Sequence, residues 1–121
     1  MPIIDITADT FDSVLSEHEL LLVDFWAEWC EPCIQMGKVL EKLLEKRPEL
    51  VVGKINIEAE KELAEEFQVK SVPRLMLIRH KIVLSDETGL MAEGPLLDLI
   101  ERAEAIEEDH LEQIREGNEA E

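Results

Sequence analysis

Apolar and polar residues follow two periods along this chain, and the switches between them mark out its elements. Residues 3–6 (Ile-Ile-Asp-Ile) read as a short strand, expected at a sheet edge. Thr7 and Asp9 offer capping side chains for a helix over about residues 10–17, with Phe11, Val14 and Leu15 on one face. Residues 20–25 (Leu-Leu-Leu-Val-Asp-Phe) are too apolar for an exposed strand and do not alternate. They predict a central strand buried on both faces. A helical stripe then runs through Met36, Val39, Leu40, Leu43 and Leu44 until Pro48 stops it. Gly37 lies inside that helix, at about 1 kcal/mol against alanine, and is read as a bend or a close contact. Residues 50–57 predict a second central strand, and residues 58–67 a short helix with Leu63, Ala64 and Phe67 inward. Residues 75–78 predict a third strand. Residues 82–84 follow across Arg79-His80-Lys81, a gap that fits only a hairpin. One continuous terminal helix is predicted from about residue 95 to about residue 116. Leu96, Leu99, Ile100, Ala103, Ile106, Leu111 and Ile114 are its apolar positions, and fraying is expected from residue 115 to the end.

Strand, helix and strand alternation followed by a hairpin and a helix predicts an α/β fold: a central mixed β-sheet flanked by helices, with an extended C-terminal helix. The chain has 121 residues, which suits one domain. Its formal net charge of −17 argues against nucleic acid and against anionic membrane surfaces as partners. It favours a soluble monomer. No apolar run is long enough to span a bilayer. The first residues show no basic region followed by an apolar core, so a cytoplasmic location is expected.

The chemistry concentrates where the first central strand ends. That strand runs through Trp26, Ala27, Glu28 and Trp29 into Cys30-Glu31-Pro32-Cys33, and these are the only two cysteines. A Cys-x-x-Cys between a strand and a helix reads as a thiol–disulfide redox site. Residues three apart share a helix face, so a helix starting near Cys30 sets the sulfurs one turn apart. Free backbone N–H groups of the first turn favour a thiolate at Cys30. Cys33, one turn deeper and less exposed, suits a resolving thiol. Pro32 fits a first turn because it has no N–H to lose there. The blander readings are a structural staple and half of a zinc site. A short-loop staple adds little to a chain this long. Zinc wants about four ligands, and His18, His80 and His110 show no paired spacing, so no metal site is expected.

Asp24 is the second informative residue. A carboxylate in a strand buried on both faces is expensive to ionise, so its pKa should rise. A raised pKa suits a proton acceptor for a thiol. It stands too far before Cys30 to cap that helix. Lys54, the basic residue of the second central strand, is equally a snorkelling surface lysine or a partner for Asp24.

These residues resemble the thioredoxin family. The resemblance rests on Val23-Asp24-Phe25-Trp26-Ala27-Glu28-Trp29-Cys30-Glu31-Pro32-Cys33, then Lys54-Ile55-Asn56-Ile57, then Val69-Lys70-Ser71-Val72-Pro73, then Gly89. It covers about residues 3–103. It implies a thioredoxin-like domain over residues 1–106, followed by an acidic helical extension over residues 107–121. It also implies Cys30 as nucleophile, Cys33 as resolving thiol, and Asp24 as buried acid–base residue with Lys54 beside it. Pro73 matches the family's cis-proline, which exposes the Val72 backbone to an extended substrate segment. Trp29 matches the aromatic beside the site, with simple core packing as its alternative. Gly89 matches part of the apolar docking rim. Four departures bear on the potential, the substrates and the recharging enzyme. They are Glu31 for a usual glycine, Lys38 for a helix-kinking proline, Arg74 for a threonine, and His80-Lys81 for a glycine-bearing hairpin turn.

The implied activity is protein-disulfide reduction by a Cys30/Cys33 dithiol. No bound cofactor is implied. An NADPH-dependent, FAD-containing flavoprotein of the thioredoxin-reductase type would recharge it. Two other functions compete: a disulfide oxidase or isomerase, and a thioredoxin-fold binding module serving as co-chaperone or assembly subunit. Retention of both cysteines, Asp24 and Pro73 counts against the binding module.

Overall fold

The computed structural model describes residues 3–119. Along the chain come β1 (Ile3–Asp5), α1 (Phe11–Glu17), β2 (Leu20–Trp26), α2 (Glu31–Lys46), β3 (Val52–Asn56), α3 (Lys61–Glu66), β4 (Arg74–Arg79), β5 (Ile82–Thr88), α4 (Glu93–Ala105) and α5 (Glu108–Glu119). The strands form one five-stranded sheet in the order β1-β3-β2-β4-β5. β1, β3 and β2 run parallel, and β4 and β5 continue antiparallel from β2. The mixed sheet and the edge position of β1 are as the pattern predicted.

β2 is the middle strand, and five consecutive residues from Leu21 to Phe25 are buried. Leu22 packs with Met36, Leu40 and Leu43 of α2 and with Leu96 and Ile100 of α4. Leu21, Val23 and Phe25 point the other way, among Val14, Ile55, Leu63 and Ile78. Strand alternation therefore sets Asp24 on the α2 face of the sheet. On the opposite face Gly53 leaves room for Ile6, whose Cδ1 lies 2.2 Å from where a Cβ would sit. Gly37 meets no neighbour within 4 Å, so no close contact explains it.

Three boundaries differ most from expectation. β5 reaches Thr88, because Ser85, Asp86, Glu87 and Thr88 pair with β4 although their side chains are polar. An edge strand needs only one buried face, and its ladder does not depend on apolar residues. α3 is shorter than predicted, because the Asn56 side chain accepts from the N–H groups of Glu58 and Ala59 and holds a turn ahead of it. The single terminal helix is two helices. Ile106 is extended (φ −67°, ψ 126°) and separates α4 from α5. The second of these runs to Glu119 with no break at residue 115; residues 120 and 121 lie outside the described part.

The break has a cause in β4. Arg79 is only 8% exposed. Its Nη1 donates to the carbonyls of Ala103 (2.9 Å) and Ile106, at the point where α4 runs out of helical partners. The guanidinium supplies a donor to those carbonyls where the helix ends, and the chain turns there. Leu111 of α5 is buried, and the Arg115 guanidinium donates to the His80 carbonyl at 2.6 Å, so α5 folds back against the β4–β5 hairpin.

Replacing Arg79 with leucine should therefore take the guanidinium donor from the Ala103 and Ile106 carbonyls, leaving Ala103 only the Ile106 N–H at 3.4 Å, and lower stability by about 3 kcal/mol. Amide exchange should accelerate in α5 and at the end of α4 more than in α2. Chemical denaturation and site-resolved hydrogen exchange measure both, and uniform acceleration across the chain would contradict the assignment.

Candidate active site

The site forms where β2 delivers the chain to the start of α2. Cys30 is the N-cap of α2, in extended conformation, and Pro32 occupies the first turn as its missing N–H permits. Cys30 and Cys33 are joined as a disulfide, with Cα atoms 5.2 Å apart. The Cys33 backbone N–H donates to Cys30 Sγ at 3.1 Å. One of the orphan donors of the helix terminus is thus aimed at this sulfur. The field that favours a thiolate is a directed hydrogen bond, and not only a distant dipole.

Exposure does not separate the two cysteines as the sequence suggested. Cys30 is 3% and Cys33 5% exposed. Both pack with Ala27, and Trp26, Ile57 and Val72 lie against them. As the N-cap, Cys30 also stands one position ahead of the first turn. What distinguishes it is the N–H it receives and its neighbour across the site: the Val72 carbonyl oxygen lies 3.7 Å from its sulfur. The Val72–Pro73 bond is cis, as the resemblance implied. The Pro73 carbonyl in turn accepts from the Gly89 N–H at 2.8 Å. Gly89 has φ +102°, a conformation that requires glycine. Cys30, Val72, Pro73 and Gly89 are therefore connected through a few contacts, although they come from three separate stretches of chain.

Trp29 is 68% exposed, which decides against core packing. Ile34 and Leu90, each 50% exposed, stand next in the chain to Cys33 and Gly89. Neither was singled out from sequence. Ile34 carried a usable signal, since it falls outside the buried stripe of Cys33, Met36, Leu40, Leu43 and Leu44. Glu31 is exposed beside the sulfurs at the start of α2.

Asp24 is fully buried, and neither carboxylate oxygen has a hydrogen-bond partner among the described residues. Burial pushes its pKa from the ordinary 3.8 up to about 7, against the smaller opposing pull of Lys54. Lys54 sits opposite Asp24 in the β2–β3 register, with its ammonium 4.7 Å from the centre of the Trp26 ring. It is thus a partner of Asp24 electrostatically while its ammonium lies over an aromatic face. A small cavity opens at this point, lined by Trp26, Cys33, Ile34, Lys38 and Lys54 among others. The Trp26 Nε1 is also buried without a partner.

Arg74 follows Pro73 at the start of β4 and is engaged by its neighbours. Its guanidinium makes two hydrogen bonds to the Asp86 carboxylate (2.8 and 2.7 Å), donates to the Phe67 carbonyl at 2.7 Å, and lies 5.7 Å from the centre of the Phe25 ring. Mutual pairing raises the Arg74 pKa and lowers that of Asp86. Its charge is engaged by Asp86 and is not a free cation for the sulfurs.

The raised Asp24 pKa has a consequence for stability. The folded state holds the proton more tightly than the unfolded chain does. The stabilisation by that proton is complete below about pH 4 and is lost as pH rises to about 7. Between pH 5 and pH 8, wild type should lose roughly 3 kcal/mol relative to Asp24→Asn, which cannot ionise. Urea unfolding of both proteins at the two pH values measures this, and a pH-independent difference would contradict it.

Comparison with known proteins agrees with this geometry. The thioredoxin family model matches residues 2–102. A relative from Streptomyces coelicolor, itself named as a thioredoxin, is 40% identical over 108 residues, covering 89% of this chain and 81% of that one. The thioredoxin of Chlamydia pneumoniae is 37% identical over 97 residues, covering 80% and 94%. Part of the bifunctional thioredoxin reductase/thioredoxin of Mycobacterium leprae is 44% identical over 73 residues, which is 60% of this chain and 16% of that protein. Among solved structures, a mutant thioredoxin from Halobacterium salinarum superposes with a TM-score of 0.76 at 34% identity, covering 83% of this chain and 88% of that one. Thioredoxin f2 of Chlamydomonas reinhardtii gives 0.77 at 30% identity, covering 87% and 99%. With its sheet order, its bonded cysteine pair at a helix terminus and these likenesses together, the chain belongs to the thioredoxin family and is a thiol–disulfide oxidoreductase, a protein-disulfide reductase.

Proposed function

We propose that the reductase works through Cys30 as the attacking thiolate and Cys33 as the resolving thiol, in the cytoplasm, as a monomer recharged by a thioredoxin-reductase-type flavoprotein. The observation that carries the assignment is the Cys33 N–H aimed at Cys30 Sγ at the N-cap of α2. In the reduced protein the same donor stabilises a thiolate at Cys30 and not at Cys33. That thiolate attacks one sulfur of a target disulfide. A Cys30–target bond forms, and the other target sulfur leaves as thiolate. Cys33 then passes its proton to Asp24 and attacks Cys30 Sγ. The Cys30–Cys33 disulfide forms and the second target thiol is released. Two electrons move from the dithiol to the target. The reductase returns them from NADPH through its own FAD, and no cofactor is needed on this chain. The Mycobacterium leprae relative, named as a bifunctional thioredoxin reductase/thioredoxin, supports that pairing.

Substrate docking is assigned to the surface around the disulfide. The Val72 backbone pairs with an extended target segment, and Pro73 holds that segment across the sulfurs. Trp29 and Gly89, with Ile34 and Leu90, supply the apolar rim. Lys54 assists Asp24 electrostatically. The thioredoxin-like domain ends at residue 106, and α5 takes no part in the exchange. It packs at the hairpin turn after Arg79, whereas the cysteines face the other end of β4.

In cell extract, Cys33→Ser should accumulate mixed disulfides with target proteins, and Cys30→Ser should not. Non-reducing gels followed by peptide identification read the outcome. Equal trapping by both variants, or trapping by Cys30→Ser alone, would reverse the assigned roles.

Glu31 adds a carboxylate beside the attacking sulfur. At about 6 Å and an effective dielectric of roughly 40, it repels a thiolate by about 1.4 kcal/mol, or about one pKa unit. Glu31→Gly should therefore lower the Cys30 pKa by about one unit. Titration of thiolate absorbance in the reduced protein measures the shift, and an unchanged or raised pKa would sink the idea.

A further inference from the structure

We propose that Glu19, His80 and Glu108 form a zinc site that fastens α5 to the β4–β5 hairpin, at the end of the sheet away from the cysteines. The three residues come from the turn before β2, from the hairpin turn and from the first residue of α5. Sequence spacing could not associate them, since 61 and 28 positions separate them in order. In the fold, one ligand atom of each lies within 4.8 Å of the other two.

The spacing fits metal ligands as well as an ion pair. His80 Nε2 lies 3.1 Å from Glu19 Oε1 and 3.5 Å from Glu108 Oε1. Bonds of about 2.1 Å to a tetrahedral Zn²⁺ set neighbouring ligand atoms about 3.4 Å apart. Both distances from His80 thus match edges of such a tetrahedron. His80 Nε2 is buried and has no hydrogen-bond partner, although two carboxylate oxygens stand this close. Neither oxygen therefore lies where an N–H on that nitrogen would point. A lone pair directed at a cation shared with both carboxylates accounts for this arrangement.

Charge and support fit the same ion. Two carboxylates and a neutral imidazole balance a divalent cation. A nitrogen ligand selects a borderline metal such as Zn²⁺ over Mg²⁺ or Ca²⁺. A solvent molecule would complete four-coordination, because the Glu19 and Glu108 side chains are largely exposed. Around the ligands, Arg79 Nη2 is 3.5 Å from Glu19 Oε1, where it holds a ligating carboxylate in place. The His80 backbone is fixed on both sides: its N–H donates to the Glu19 carbonyl at 2.8 Å, and its carbonyl accepts from Arg115 at 2.6 Å. Zinc bound here would join α5 to the body of the domain through a third attachment, beside buried Leu111 and Arg115. Its binding free energy would then stabilise α5.

The test uses the full chain in its oxidised form, so that the Cys30–Cys33 disulfide leaves no thiolate to compete. Zn²⁺ is titrated calorimetrically, and Co²⁺ is used as a spectroscopic probe. The expected result is one saturable ion per chain, a visible Co²⁺ absorption of the four-coordinate type, and slower amide exchange in α5 on adding Zn²⁺. His80→Asn, which suits the left-handed backbone at φ +49°, should weaken binding by more than about tenfold. Glu108→Gln, on the surface, should do the same, and Glu107→Gln should leave it unchanged. Absence of saturable binding would overturn the proposal and leave the cluster an ion-pair clasp only. Binding that survives both His80→Asn and Glu108→Gln would also overturn it.

Discussion

Burial of β2 on both faces is the constraint from which the rest of the molecule follows. Five consecutive buried residues leave no position in that strand for a solvated charge, and one of them is Asp24. Its carboxyl is held near the pH at which thiols exchange protons because it is buried and no described donor reaches it. The same burial makes β2 a rigid support, and that support ends at Trp26, four residues before Cys30. Positioning of the sulfurs is therefore inherited from the core. A protein with a looser central strand would both hydrate Asp24 and let the start of α2 drift.

The redox site is a junction of three backbones more than a cluster of side chains. The terminus of α2 supplies an N–H, the segment ending at Pro73 supplies a carbonyl, and Gly89 ties that segment to the end of β5. Backbone groups cannot be replaced by mutation, so side chains around them do the tuning. Glu31 stands exposed at the start of α2, beside the sulfur that receives the Cys33 N–H. Lys54 opposes the burial of Asp24, and burial is the larger of the two. Arg74, which could have joined this balance, is held by Asp86 and the Phe67 carbonyl and serves to pin the end of β4.

The opposite end of β4 repeats this theme with a different purpose. Arg79 is a buried cation made tolerable by helix carbonyls, which need a donor as much as it needs acceptors. By meeting that need it ends α4, turns the chain, and brings α5 to the hairpin. Glu108 reaches Glu19 and His80 only because of that turn. The end of the sheet that binds the acidic helix and the end that carries the disulfide are thus joined by the six residues of one strand.

The sequence by itself determined the parts that depend on local periodicity and on neighbours along the chain. A non-alternating apolar run announces a doubly buried strand, and a stripe at helical spacing announces α2. Two cysteines three apart after such a strand announce the dithiol. The raised pKa of Asp24 followed from its place in that run. Tertiary structure decided what depends on which loops converge. It placed both cysteines at equal burial, because packing by Ala27 and Val72 covers them alike. It exposed Trp29 and committed Arg74 to Asp86, twelve residues away. It broke one predicted terminal helix into two. The apolar pattern of Ile106, Leu111 and Ile114 continues through the break, and the guanidinium that causes it comes from a strand 27 residues earlier. Periodicity records which face of a segment is buried, but it carries no record of a distant side chain competing for that segment's carbonyls.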